Sequence, residues 1–134
     1  MPRLAFLTVL AVLALPAVAA AQWKPIGKTR EGSVMYVQLK SVKRGGDTVT
    51  ARVLTRYAAP VWDTGRKDSL RAVTTLATVN CRLNKVIIRE SVYYVDFDRN
   101  RVSERRVPKA PGYQAIFGAA YPTIRDSLCA PPRK

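Results

Sequence analysis

The chain of 134 residues contains no histidine, two cysteines and nine carboxylates. Without imidazole there is no Ser/His or Cys/His nucleophile pair, no imidazole general base and no His-built metal site. The carboxylates are too scattered to nominate a catalytic pair. No glycine-rich phosphate loop, Ser-x-x-Lys or Gly-x-Ser-x-Gly pattern is present. The expectation is a protein that is not an enzyme and takes neither cofactor nor metal.

Positive charge is what the chain has in excess. Lys and Arg number 23, for a formal charge of +14. Arg52 and Arg56 fall on one parity of a strand, while Arg99, Arg101, Arg105, Arg106 and Lys109 cluster around the last strand. Guanidinium suits bidentate contact with sulfate, phosphate or carboxylate, so these seven are the candidate anion-binding residues. The bland alternative is that they keep the protein soluble and protect strand edges. Trp62, beside Asp63 and Gly65, reads as a loop aromatic exposed for contact.

The N-terminus reads as a secretory leader. Arg3 precedes an apolar run from Leu4 to Leu15, then Pro16 and the small residues Ala17 to Ala21. About 12 apolar residues fall short of the roughly 20 that span a bilayer, so no transmembrane segment is expected. Cleavage after Ala21 takes 21 of the 134 residues and leaves 113, beginning Gln22-Trp23. Losing Arg3 lowers the charge of +14 to +13. The domain is expected over residues 22–129, with 130–134 a disordered tail ending Pro131-Pro132-Arg133-Lys134. The length suits one domain, exported to the periplasm, cell surface or medium. In an oxidising compartment Cys81 and Cys129 read as one intramolecular disulfide; a reactive thiol and a metal ligand are the competing readings.

Period-two alternation dominates the rest. Val49, Ala51, Val53 and Tyr57 alternate with Thr48, Thr50, Arg52 and Arg56 over a strand from Asp47 to Tyr57. Further strands are predicted at Ser69 to Val79 and Lys85 to Asp96, with shorter ones at Trp23 to Gly27, Val34 to Gln38 and Arg101 to Val107. Gly45-Gly46-Asp47, Arg82-Leu83-Asn84 and Asp98-Arg99-Asn100 read as turns. Asp96 to Asn100 superficially opens like a calcium loop, but Arg101 and Val107 stand where Gly and the bidentate Glu belong. Glu90, inside an apolar stretch, is expected to face solvent or pair with an arginine. A helix from about Tyr121 to Leu128 puts Ile124 and Leu128 on one face. The predicted class is α+β: a meander of about six antiparallel strands, with a C-terminal helix packed on one face and tied by Cys129 to Cys81.

This arrangement resembles the surface-adhesin E family of exported bacterial proteins. The likeness rests on Trp23 with Ile26-Gly27, Met35-Tyr36-Val37, Ser41-Val42 with Gly45-Gly46-Asp47, and the strand ending Tyr57-Ala58-Ala59-Pro60. Asp68-Ser69, Asn80-Cys81, Tyr93-Tyr94 and Ser127-Leu128-Cys129 complete it. Where a tryptophan is usual before the last helix, this chain has Gly112-Tyr113-Gln114. The resemblance implies the same sheet, helix and disulfide, homodimers formed by sheet pairing, and binding of host matrix or serum proteins. With the basic charge it suggests a non-enzymatic adhesin-like protein that also engages anionic glycans, with no cognate nucleic acid. The alternative is a structural or assembly factor of the bacterial envelope acting through β-edge contacts.

Overall fold

In the computed structural model, which describes residues 22–112, 114–115 and 120–130, the alternating segments form one antiparallel sheet carrying, among those residues, a single α-helix and one short 3-10 turn at Leu39–Ser41. The expected leader and residues 131–134 of the expected tail lie outside the described residues, as does Tyr113. The strands are β1 (Trp23–Lys28), β2 (Val34–Gln38), β3 (Lys43–Gly45), β4 (Thr48–Asp63), β5 (Asp68–Asn80), β6 (Lys85–Asp96), β7 (Arg101–Arg106) and β8 (Gln114–Ala115). Helix α1 covers Ala120–Cys129. Six strands lie in the order β1-β2-β4-β5-β6-β7, a meander; short β3 pairs with β4 and short β8 with β6.

Tight turns hold the meander. Gly46 takes φ 55 in the two-residue turn between β3 and β4, a conformation that carries little penalty without a Cβ. The turns at 64–67, 81–84 and 97–100 each end on a left-handed residue: Lys67, Asn84 and Asn100. Asparagine is the side-chain-bearing residue best suited to that region. The Asn80 carboxamide oxygen accepts from the Leu83 amide at 2.9 Å, fixing the second of these turns.

β4 extends beyond its expected end. Tyr57, Ala58, Ala59 and Pro60 fall in a register shift between Arg56 and Val61, and the strand resumes with Val61, Trp62 and Asp63 opposite Leu70, Ser69 and Asp68. A bulge tolerates proline because its missing N–H is not needed there. Trp62 therefore stands on a strand rather than in a loop. It is 60% exposed.

Both sheet faces are buried in part. On one face Ile124 and Leu128 of α1 pack among Met35, Val37, Val49, Ala51, Val53, Ala77, Val79 and Val86. Burying each of the two helix side chains contributes about 2–3 kcal/mol. Gly27 lets β1 pass close beneath α1, since a Cβ there would lie 2.8 Å from Thr123 Cγ2. The Cys81–Cys129 disulfide fastens the helix end to the turn after β5. Arg44 donates to the Leu128 carbonyl at 2.7 Å, satisfying a terminal acceptor of α1.

The opposite face holds Leu54, Ala72, Thr74 and Val92, all nearly inaccessible. No helix among the described residues covers them; the curvature of the sheet shields them instead. Trp23 on β1 and Phe97 after β6 are separated by β2, β4 and β5, so a flat sheet would place their strands about 19 Å apart. Their ring centroids lie 5.9 Å apart, edge to face, and Phe97 meets Tyr94 at 5.1 Å. Long side chains supply part of that closure. The rest comes from sheet twist, increased by the register shifts at Pro25/Gly27, Leu76/Ala77 and Tyr93 to Asp96. This face is therefore concave, and its rim is aromatic and cationic.

Candidate functional site

The cations are best judged by what each already holds. Arg52 and Glu90 stand in one cross-strand row with Leu76 between them. Arg52 Nη1 donates to Glu90 Oε1 at 2.9 Å, and Arg105 approaches the other carboxylate oxygen at 3.7 Å. Glu90 thus pairs with arginine. Arg56 donates to both oxygens of Asp98, at 2.7 and 3.4 Å, while its guanidinium lies 5.0 Å from the centre of the Phe97 ring. The Arg56 hydrogen bond holds the Asp98 carboxyl below its ordinary pKa.

Arg106 belongs to the other face, where it bridges Glu104 at 2.9 Å and lies over Tyr93 at 5.1 Å. Arg66 reaches the same Glu104 at 3.2 Å. Hydrogen bonds from Arg106 and then Arg66 lower the Glu104 pKa, and the pairing raises that of Arg106. Arg99 contacts Asp96 at 3.4 Å. Arg101 and Lys109 have no ion pair or side-chain hydrogen bond among the described residues. The seven candidate cations are therefore divided between faces, and five of them are matched to the chain's own carboxylates.

Three hollows lie beside these groups. On the helix side a groove of about 620 Å³ opens beside the first turn of α1, lined by Tyr57, Tyr93 and Tyr121 with Val53, Val73 and Ile124. Burial pushes the Tyr57 and Tyr121 phenols above their usual pKa. On the concave face, one hollow of about 490 Å³ is lined by Gln22, Trp23, Tyr36, Leu54, Arg56, Phe97 and Asp98. Its neighbour, of about 680 Å³, adds Arg71, Arg99 and Arg101 and shares Arg56, Phe97 and Asp98. Among the described residues no cluster of three or more Cys, Asp or Glu could hold a metal ion. No helix there is long and apolar enough to cross a membrane.

A family model described as surface-adhesin protein E matches residues 23–119. The chain belongs to the surface-adhesin protein E family. Two crystal structures of Haemophilus influenzae protein E share the fold of this family member. One has a TM-score of 0.55 at 12% identity, covering 81% of this chain and 87% of that one. The other, a selenomethionine form, has a TM-score of 0.53 at 13% identity, covering 81% and 86%. No curated protein matches the chain by sequence.

Within this adhesin-like chain, the aromatic rim had no local sequence signal. Trp23 and Phe97 are 74 positions apart and meet only because the sheet curls. Arg71 sits opposite the β4 register shift, where strand parity does not say which way a side chain points. Tyr36 and Leu54 were detectable. They are directly paired, and each interrupts an otherwise apolar-in, polar-out alternation.

Proposed function

We propose that this adhesin-like protein acts at the cell surface or in the periplasm by binding, engaging host matrix or serum proteins and anionic glycans through cations that its own carboxylates leave unmatched. The observation that carries the reading is the distribution of charge. Among the described residues eight arginines already pair with six of the carboxylates, yet Lys24, Lys28, Lys43, Arg71, Arg101 and Lys109 are exposed without such partners there. Exposed, unmatched charges of one sign attract polyanions over a Debye length and leave specificity to local geometry. The test is a panel of immobilised matrix proteins and heparin, each probed with the purified protein, alongside the same matrix proteins stripped of glycan. Retention on heparin and on glycan-bearing matrix is expected; retention on none of the panel would remove the reading.

The second reading, β-edge contact within the envelope or with a second copy, is favoured by β4 itself. Beyond Arg56 no strand pairs with it on the side of β2 among the described residues, and Val61 and Trp62 are exposed there. An edge with free backbone groups and apolar side chains can accept an added strand. This reading predicts association that survives high salt, measurable by sedimentation; a monomer at all salt concentrations would count against it.

A further inference from the structure

We infer that the concave face carries a groove for an acidic saccharide, in which a sugar ring lies against Trp23 and Tyr36 while its sulfate, phosphate or carboxylate group is held by Arg71 and Arg101. The inference rests on the binding role proposed above and assigns it a ligand class and a location. The two hollows of the concave face share Arg56, Phe97 and Asp98 and so adjoin one another along those side chains. Each falls within the roughly 300–1,000 Å³ of small-molecule sites.

The chemistry differs from end to end. Trp23, Tyr36 and Leu54 wall one end, where flat amphipathic rings suit the apolar C–H face of a sugar. Arg71, Arg99 and Arg101 wall the other. Arg56 and Arg99 are tied to Asp98 and Asp96 and act as walls. Arg71 and Arg101 are exposed and without an ion pair among the described residues, which leaves two guanidinium forks free for an oxyanion. An acidic peptide would use the cations and leave the aromatic end idle. A single-stranded nucleic acid would need a series of open ring faces. Here Trp23 and Tyr94 each meet Phe97 edge to face, and Arg56 covers the Phe97 face.

The chain has two tryptophans, so Trp62→Phe leaves Trp23 as the sole indole reporter. Titrating this variant with a heparin-derived hexasaccharide should give a saturable change in Trp23 emission. Adding Arg71→Gln and Arg101→Gln should weaken binding about tenfold or more and make the log–log salt slope shallower by about two. The control pair Lys40→Gln and Lys85→Gln, on exposed cations that line neither hollow, should change affinity by no more than about twofold. Trp23→Leu, followed by calorimetry, should weaken the hexasaccharide while leaving the weak binding of inorganic sulfate unchanged. If that variant does not fold, the arginine pair decides alone. Equal losses in the arginine and lysine pairs would overturn the groove while leaving general polyanion binding intact. Displacement of the hexasaccharide by polyglutamate or oligodeoxythymidylate at equal charge concentration would overturn the saccharide assignment. Failure of the unsubstituted groove to bind the hexasaccharide while matrix proteins still bind would remove the groove and spare the adhesive reading; failure of both would remove both.

Discussion

Replacing Cys81 and Cys129 together by alanine removes a link between residues 48 apart in sequence. In the chain-entropy treatment, closing a loop of about 49 residues takes about 14 cal/mol/K from the unfolded chain, or about 4 kcal/mol at 25 °C. That is a large share of the roughly 5–15 kcal/mol by which a domain is stable. In the folded state, by contrast, α1 is also held by buried Ile124 and Leu128 and by the Arg44 hydrogen bond to Leu128. The loss should therefore fall on global stability rather than on helix docking. Urea denaturation should show a midpoint lowered by roughly 2–4 M for a slope of about 1–2 kcal/mol/M, and the slope should rise because the unlinked chain exposes more surface. Hydrogen exchange should still find the α1 amides protected in the native protein. A stability change under about 1 kcal/mol, or selective loss of α1 protection with the sheet unaffected, would refute the reasoning.

Other perturbations follow from single contacts. Gly27→Ala should destabilise by about 1–3 kcal/mol through the clash with Thr123, and Thr123→Ser, which deletes the offending methyl, should restore most of it in thermal melts. Leu128→Ala should cost about 2–5 kcal/mol by urea denaturation, since it leaves a cavity beneath the helix. Thr74→Val should be stabilising by about 1 kcal/mol, because the buried Thr74 hydroxyl has no hydrogen-bond partner among the described residues. The lowered pKa values of Asp98 and Glu104 mean that their pairing supports the fold fully above the ordinary carboxylate range. That support is lost as pH falls through the lowered folded values. Asp98→Asn and Glu104→Gln should each flatten the acid limb of a stability–pH curve.

Much of the sheet is legible in alternation alone. β2 and β6 have the expected bounds, Val34–Gln38 and Lys85–Asp96, because β-branched and aromatic residues run up to clear turn residues. The Ile124/Leu128 helix face also follows from residue type and spacing, and the disulfide from there being two cysteines in a chain read as exported. β3 does not: Lys43, Arg44 and Gly45 have no strand character and pair only because the Gly46 turn folds them onto β4. The second core was signalled by neighbouring apolar residues, Val53-Leu54 and Val86-Ile87, which mark strands buried on both faces. Its consequence, a concave face closed by Trp23 and Phe97, was not, since sheet curvature accumulates at bulges that no short window specifies. For the same reason the candidate cations could be named but not sorted into paired and unpaired ones. Arg56 meets Asp98 across 42 positions, while Arg101 has no ion pair among the described residues.

The measurement that bears most directly on the proposed role is the affinity of the purified protein for heparin as a function of salt concentration. If unmatched surface cations carry binding through about four anionic contacts, log affinity should fall linearly with log salt at a slope of roughly −3 to −4, by analogy with nucleic-acid polyelectrolytes. Absence of binding at low salt, or an affinity indifferent to salt, would contradict it.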